Sequence, residues 1–264
     1  MGNLVSMFEE SLGKSTGALP LYRHTMDVVK GAVSIVRFGE KKLGYDKGRS
    51  DLVVLSAFMH DIGKLNDNFQ RMLRYVSEGR LEKIKSIPKI KHEAETFNVL
   101  DELPGVIENS AKAIAGAVKE ETGWSISAEI FGAVPEDVWT FAVTHHGLFY
   151  VSLEEWEGYE GPQRLIRREW TTFYPREVGR RTLLDLLLRY HPLGGAVIVA
   201  DLLASYAHEN GKDLDSILAE HEHPGDIIEN VLLPNAESIE ASIRRYDPRD
   251  YSLRATLNLL LGGV

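Results

Sequence analysis

Cysteine is missing altogether, and that absence excludes disulfides, thiolate zinc sites and cysteine nucleophiles together. Any metal chemistry must therefore use nitrogen and oxygen donors. No apolar run approaches the roughly 20 residues that a bilayer span needs. The first ten residues carry Glu9 and Glu10 where a secretory signal would show a basic start and an apolar stretch. The expectation is thus a soluble, cytoplasmic chain with no membrane partner. Positive charge is also scarce: the net charge is −9 and the pI about 5.5, which argues against coating nucleic acid by global electrostatics.

What remains is ordinary for a globular protein, with 44% hydrophobic and 26% charged residues in 264. That length fits one large domain, taken here as residues 1–264, with a core over about 20–210 and smaller helices over about 211–264. The periodicity is helical almost throughout, so the fold class expected is all-α. Val28, Val29, Ala32, Val33, Ile35 and Val36 form a stripe over 21–43, with Gly44 as the stop. Leu52 to Met59 runs into His60-Asp61 and breaks at Gly63. Residues 66–77 and 91–103 read as further helices. Pro135 opens another that ends at His145-His146-Gly147. Residues 148–175, with Gly158, Gly161, Pro162 and Pro175, read as an irregular insertion. Helices return at about 176–190 and from about Gly195 to His208.

Metal-capable side chains recur at the ends of these apolar segments. His24 lies in a first helical turn, His60-Asp61 and His145-His146 at helix ends, His92 at a helix start. Asp201 stands in a helix so apolar that its carboxylate calls for a cation or a strong hydrogen bond. Ser205, four residues on, shares its face. Five histidines and two aspartates offer enough donors for two transition-metal ions with water positions open. Taken singly, each has a plain structural explanation as a surface histidine or helix-face acid. The joint pattern points to a two-metal hydrolase.

Two segments run against the overall acidity. Arg80, Lys83, Lys85, Lys89 and Lys91 face only Glu82. Between 164 and 181, Arg164, Arg167, Arg168, Arg176, Arg180 and Arg181 face Glu169 and Glu177, interleaved with Trp170, Phe173 and Tyr174. Arginine beside aromatics suits phosphate contact and base stacking on a single strand. A solvated face or a protein-partner surface fits the second segment equally well. The candidate nucleic-acid contacts are Lys89, Lys91, Arg164, Arg167, Arg168 and Trp170. Gly13-Lys14-Ser15-Thr16 imitates the end of a phosphate-binding P-loop, but the motif's first glycine would fall on Phe8 and no strand precedes it.

His60-Asp61-Ile62-Gly63-Lys64, with a histidine upstream and an aspartate far downstream, resembles the HD superfamily of metal-dependent phosphohydrolases. The run continuing through Leu65-Asn66-Asp67-Asn68-Phe69-Gln70, then Lys91-His92-Glu93, His145-His146-Gly147 and Ala200-Asp201-Leu202-Leu203-Ala204-Ser205, is similar to the nuclease domain of type I CRISPR interference systems. The resemblance covers residues 24–205 and implies an HD-domain helical bundle. It implies one metal held by His24, His60, Asp61 and Asp201 and a second by Asp61, His92, His145 and His146, with Asp61 bridging. It also implies Lys64 near the scissile phosphate with Ser205 beside it, so that Asp61, Lys64 and Ser205 form the catalytic group. Histidine-rich sets favour manganese, iron, cobalt or nickel over magnesium.

Helicase motifs are not found in the chain, so it resembles the form made separately from the helicase. The expected partners are single-stranded DNA, a separate CRISPR helicase subunit and an RNA-guided surveillance complex. A phosphohydrolase of nucleotides or cyclic nucleotides, and a scaffold carrying a relict site, are the competing readings.

Overall fold

A computed structural model describes residues 3–88, 92–132, 134, 138, 192–221, 223–232 and 234–235. Among these residues the structure is helical, with no strand. The elements are α1 (Leu4–Glu10), α2 (Leu21–Phe38), α3 (Lys47–Met59), α4 (Asp67–Ser77), α5 (Leu81–Ile84), α6 (His92–Glu102), α7 (Val106–Thr122), α8 (Pro192–Glu209), α9 (Leu214–Glu220) and α10 (Pro224–Ile227). The all-α expectation holds for the described residues. The helix starting at Pro135, the insertion at 148–175, the helix at 176–190 and most of the C-terminal region lie outside them.

Local chemistry sets the helix ends. Asn3, Asp46, Asn66 and Asp213 cap α1, α3, α4 and α9 by accepting from backbone N–H groups of the first turn. After Phe38 the chain widens into one π-helical turn, Gly39–Leu43, and closes on Gly44 at φ 70°, so the apolar period of 21–43 is one continuous rod of two geometries. The remaining predicted bounds agree within a few residues, α3 starting earlier than its apolar stretch because Asp46 caps it.

The 17-residue helix α7 was not among the expected elements. Its buried face is Val106, Ile107, Ser110, Ile114 and Val118, and alanines, lysines and glutamates dilute that stripe in the sequence. Packing against α1 and α2 is what makes it a core helix. Ser110 ties α1 to it, accepting from Leu4 N at 2.8 Å while donating to Val106 O.

Helix α2 is central, packing on α3, α7 and α8, and α8 also crosses α3. Gly31 makes the α2–α8 approach possible: a Cβ there would stand 3.1 Å from Ala200 Cβ and 3.2 Å from Ala200 Cα. The core fills the space with fully buried Met26, Val28, Val29, Val53, Leu55, Met59 and Ile62, and Phe8 stacks on Phe58 with centroids 5.2 Å apart. A smaller apolar cluster joins the outer face of α8 to Leu214, Ile227, Val231 and Leu232. The crossing of α2, α3 and α8 brings His24, His60-Asp61 and Asp201 together.

Candidate metal centre

Asp61 leaves α3 at φ −106°, ψ 15°, where the helix turns into the 3-10 turn Ile62–Leu65. His60 and Asp61 therefore stand at the carbonyl end of a buried helix, which favours cations. The Asp61 carboxylate is buried, with imidazole nitrogens converging on both oxygens. His24 Nε2 lies 3.3 Å and His60 Nε2 3.2 Å from Oδ2, whereas His92 Nε2 lies 3.1 Å from Oδ1. On the far side of His24, Asp201 Oδ1 is 3.3 Å from the same Nε2 and 4.0 Å from His60 Nε2.

These spacings can be tested against an ion's coordination shell. Donors about 2.1 Å from one ion sit roughly 3.0 Å apart at an octahedral edge, 3.4 Å apart at a tetrahedral one and 4.2 Å apart across an octahedron. The distances among His24, His60, Asp61 and Asp201 fall in that range. Ligand atoms of His24, His60 and Asp201 all lie within 4.8 Å of one another, a grouping able to hold a metal. The donor set fits a divalent transition metal.

Tautomers are set by the surroundings. Ala57 O lies 2.7 Å from His60 Nδ1, and a carbonyl only accepts, so Nδ1 carries hydrogen and Nε2 presents its lone pair to the centre. Burial penalises the His60 imidazolium, but the adjacent Asp61 carboxylate, with Asp201 farther off, outweighs this and raises its pKa above the ordinary histidine value.

Two lysines stand at the centre, Lys64 paired directly with Asp61 and Lys14 reaching Asp201 only through Ser205. Lys64 Nζ lies 2.6 Å from Asp61 Oδ2 as an ion pair and donates to Gly13 O at 3.0 Å, and its side chain is 10% exposed. Ser205 Oγ donates to Asp201 Oδ1 over a long 3.4 Å and accepts from Lys14 Nζ at 2.8 Å.

The residues around the HD pair have distinct structural duties. Gly63 allows α6 to approach, because a Cβ there would lie 1.8 Å from His92 O. Phe69 packs its ring on the His92 imidazole, centroids 5.0 Å apart. Gln70 accepts from Leu12 N at 2.8 Å and donates to Leu12 O and Lys64 O at 2.9 and 2.7 Å. Asn66 caps α4 and donates to Glu95 of α6 at 2.9 Å. The segment between α1 and α2 is thereby held across the centre, and with it Lys14, which the sequence offered only inside the false P-loop.

The structure thus brings His24, His60, Asp61, Lys64, His92, Asp201 and Ser205 into one cluster. His145, His146, Lys89, Lys91, Arg164, Arg167, Arg168 and Trp170 lie outside the described residues. Of the first basic segment, Arg80 pairs with Glu78 at 2.5 Å and stacks over Tyr75, so a surface role accounts for it. A cavity of about 580 Å³ between α2, the end of α7 and α9, lined by Lys30, Arg37, Phe38 and His223 among others, contains none of the metal-capable cluster.

This geometry of imidazoles around a buried aspartate defines an HD-type phosphohydrolase centre, and the comparison with known families agrees. The family described as "Cas3, HD domain" matches residues 10–209, and the chain belongs to that family. It is an HD-type metal-dependent nuclease of CRISPR systems. Searches of curated proteins and of solved structures returned no match. Among the described residues no helix is long and apolar enough to cross a membrane.

Proposed function

We propose that this protein cuts single-stranded DNA, working as a single domain in the cytoplasm with a separate helicase and an RNA-guided surveillance complex. The observation that carries the two-metal part of the reading is the division of Asp61: Oδ2 faces His24 and His60, and Oδ1 faces His92. A carboxylate whose two oxygens serve different histidine sets is suited to bridge two ions. In this reading His24, His60, Asp61 and Asp201 hold one divalent ion and Asp61, His92, His145 and His146 the other, with manganese, iron, cobalt or nickel preferred over magnesium. Such ions supply Lewis acidity that makes water a nucleophile near neutral pH and offsets charge on the phosphate.

The chain's own residues prepare the site. His60 is locked with its hydrogen on Nδ1 by Ala57, Phe69 steadies His92, and Ser205 orients Asp201. Lys64 bears on Asp61 and brings a fixed ammonium to where charge develops in the transition state. The acidic surface suits recruitment by protein partners, with strand contact left to local cations such as Lys89, Lys91, Arg164, Arg167 and Arg168, and stacking to Trp170.

Elemental analysis of metal-reconstituted protein, paired with cleavage assays on a single-stranded oligonucleotide and on a nucleotide panel, tests this. Two ions per chain and cut DNA are expected, with Asp61→Ala losing both. Turnover of nucleotides beside intact DNA would move the assignment to a nucleotide phosphohydrolase. Metal content and activity unchanged in Asp61→Ala would remove the site altogether.

A further inference from the structure

Lys14 is built into the rim of this centre by the same segment whose Gly13 O anchors Lys64. Between α1 and α2 the chain folds back on itself: Gly13 N and Lys14 N both donate to Leu19 O, at 2.8 and 3.3 Å, and Leu21 N donates to Ser11 O at 2.7 Å. Gln70 grips Leu12 from one side and His208 meets Thr16 O at 3.0 Å on the other. Gly13 lies so close to α2 that a Cβ would stand 3.0 Å from Leu21 Cα and 3.1 Å from His24 Cβ. The segment therefore rests directly on the first turn of α2 and on the Cβ of the candidate ligand His24. That seating delivers the Lys14 ammonium to Ser205 Oγ at 2.8 Å, and Ser205 in turn reaches Asp201.

The two lysines of the centre differ in what they can still do. Lys64 is held by Asp61 and Gly13 O and faces inward. Lys14 is 18% exposed and its only carboxylate partner among the described residues is Glu209, at 3.4 Å and itself 39% exposed. An ion pair that wet is worth little and exchanges readily. A phosphodiester arriving at Asp201 would meet an ammonium tethered by one hydroxyl and loosely paired beyond it. In a chain of net charge −9, the strand's approach also needs a cation fixed at the centre itself.

We propose that Lys14 binds a phosphate of the substrate strand beside the metal centre, exchanging Glu209 for it while Ser205 holds the ammonium in position. The proposal rests on the nuclease reading above. It makes the P-loop look-alike a phosphate contact after all, through a side chain and not through a glycine-rich loop.

The test compares wild type, Lys14→Gln and Lys14→Arg in manganese-loaded form. Steady-state cleavage of a single-stranded oligonucleotide of about 20 nucleotides is followed from about 50 to 200 mM salt, with manganese affinity measured by calorimetry. Lys14→Gln should lower kcat/KM about tenfold, mostly through KM, and reduce the salt slope by about one, while manganese affinity stays within about twofold. Lys14→Arg should keep both rate and slope.

An unchanged slope in Lys14→Gln, or a lowered slope in Lys14→Arg, refutes the proposal. So does a manganese affinity that drops tenfold or more in Lys14→Gln, since Lys14 would then serve Asp201 and not the strand. Wild-type protein that leaves the oligonucleotide intact brings down the nuclease reading, and this inference with it; wild-type cleavage matched by Lys14→Gln brings down this inference alone.

Discussion

Replacing Gly63 by alanine should separate the two halves of the centre. The new Cβ would lie 1.8 Å from His92 O, 2.9 Å from His92 C and 2.9 Å from Thr96 N. Real Cβ contacts essentially never fall under 3.0 Å, so the first contact alone demands a retreat of at least about 1.2 Å, the difference between those two distances. The obstacle is backbone at the start of α6, with no flexible side-chain tip to swing away. Either α6 backs off, taking His92 with it, or the 3-10 turn recoils and carries Asp61 and Lys64. In both cases the 3.1 Å spacing of His92 Nε2 and Asp61 Oδ1 opens.

Overpacking of this kind costs about 1–3 kcal/mol. For a chain of this size that lowers the melting temperature by roughly 2–12 °C, leaving a folded protein. A misplacement of about 1 Å in a catalytic group costs on the order of 100-fold in rate. Gly63→Ala should therefore keep its far-ultraviolet circular dichroism, lose the ion on the His92 side, and cut DNA with kcat/KM down about 100-fold. Elemental analysis, calorimetry and the cleavage assay together read this. A Gly63→Ala protein carrying two ions at wild-type kcat/KM would refute the reasoning. Gly116, in the middle of α7, supplies the contrast. Nothing lies within 4 Å of its added Cβ, so Gly116→Ala should stabilise the protein by about 0.5–1 kcal/mol and leave cleavage untouched.

Three other outcomes are expected. Gln70→Ala leaves Leu12 and Lys64 backbone groups without their partner, which should cost about 1–3 kcal/mol in urea unfolding and open the segment around residues 12–18 to limited proteolysis; unchanged unfolding and cleavage pattern would dismiss the clamp. Burial alone would raise the pKa of Asp51, but hydrogen bonds from Lys47, Ser127 and Trp124 outweigh it and hold the carboxyl below its ordinary value. Its stabilising contribution is thus complete above the unfolded value of about 3.9 and fades as pH falls through the lower folded value, so unfolding free energies of wild type and Asp51→Asn should converge below about pH 4, and parallel curves would count against this. Neutralising Arg167 and Arg168 together should weaken DNA cleavage and lower its salt slope by about two without changing metal content, whereas equal slopes would assign that segment to a protein partner.

Much of the site was legible because metal ligation needs particular side chains, and His24, His60, Asp61, His92 and Asp201 stand at the ends or on the faces of segments whose apolar period is plain. Helix limits were legible where capping groups act locally, as at Asn66 and Gly44. Helix α7 was not, since its stripe is diluted with alanine and its burial comes from α1 and α2, distant in the chain. By itself the sequence determined an all-helical chain with nitrogen and oxygen donors in surplus and no thiol to compete with them.

Only tertiary structure decided which oxygen of Asp61 faces which histidine, because that depends on where α2, α3 and α6 cross. Gly63 shows the same limit. In sequence it breaks a helix, and in the fold it is the one residue small enough to let His92 reach Asp61. Lys14 is the plainest case: its neighbours in sequence imitate a nucleotide loop, but the side chain that holds its ammonium is Ser205, 191 residues away.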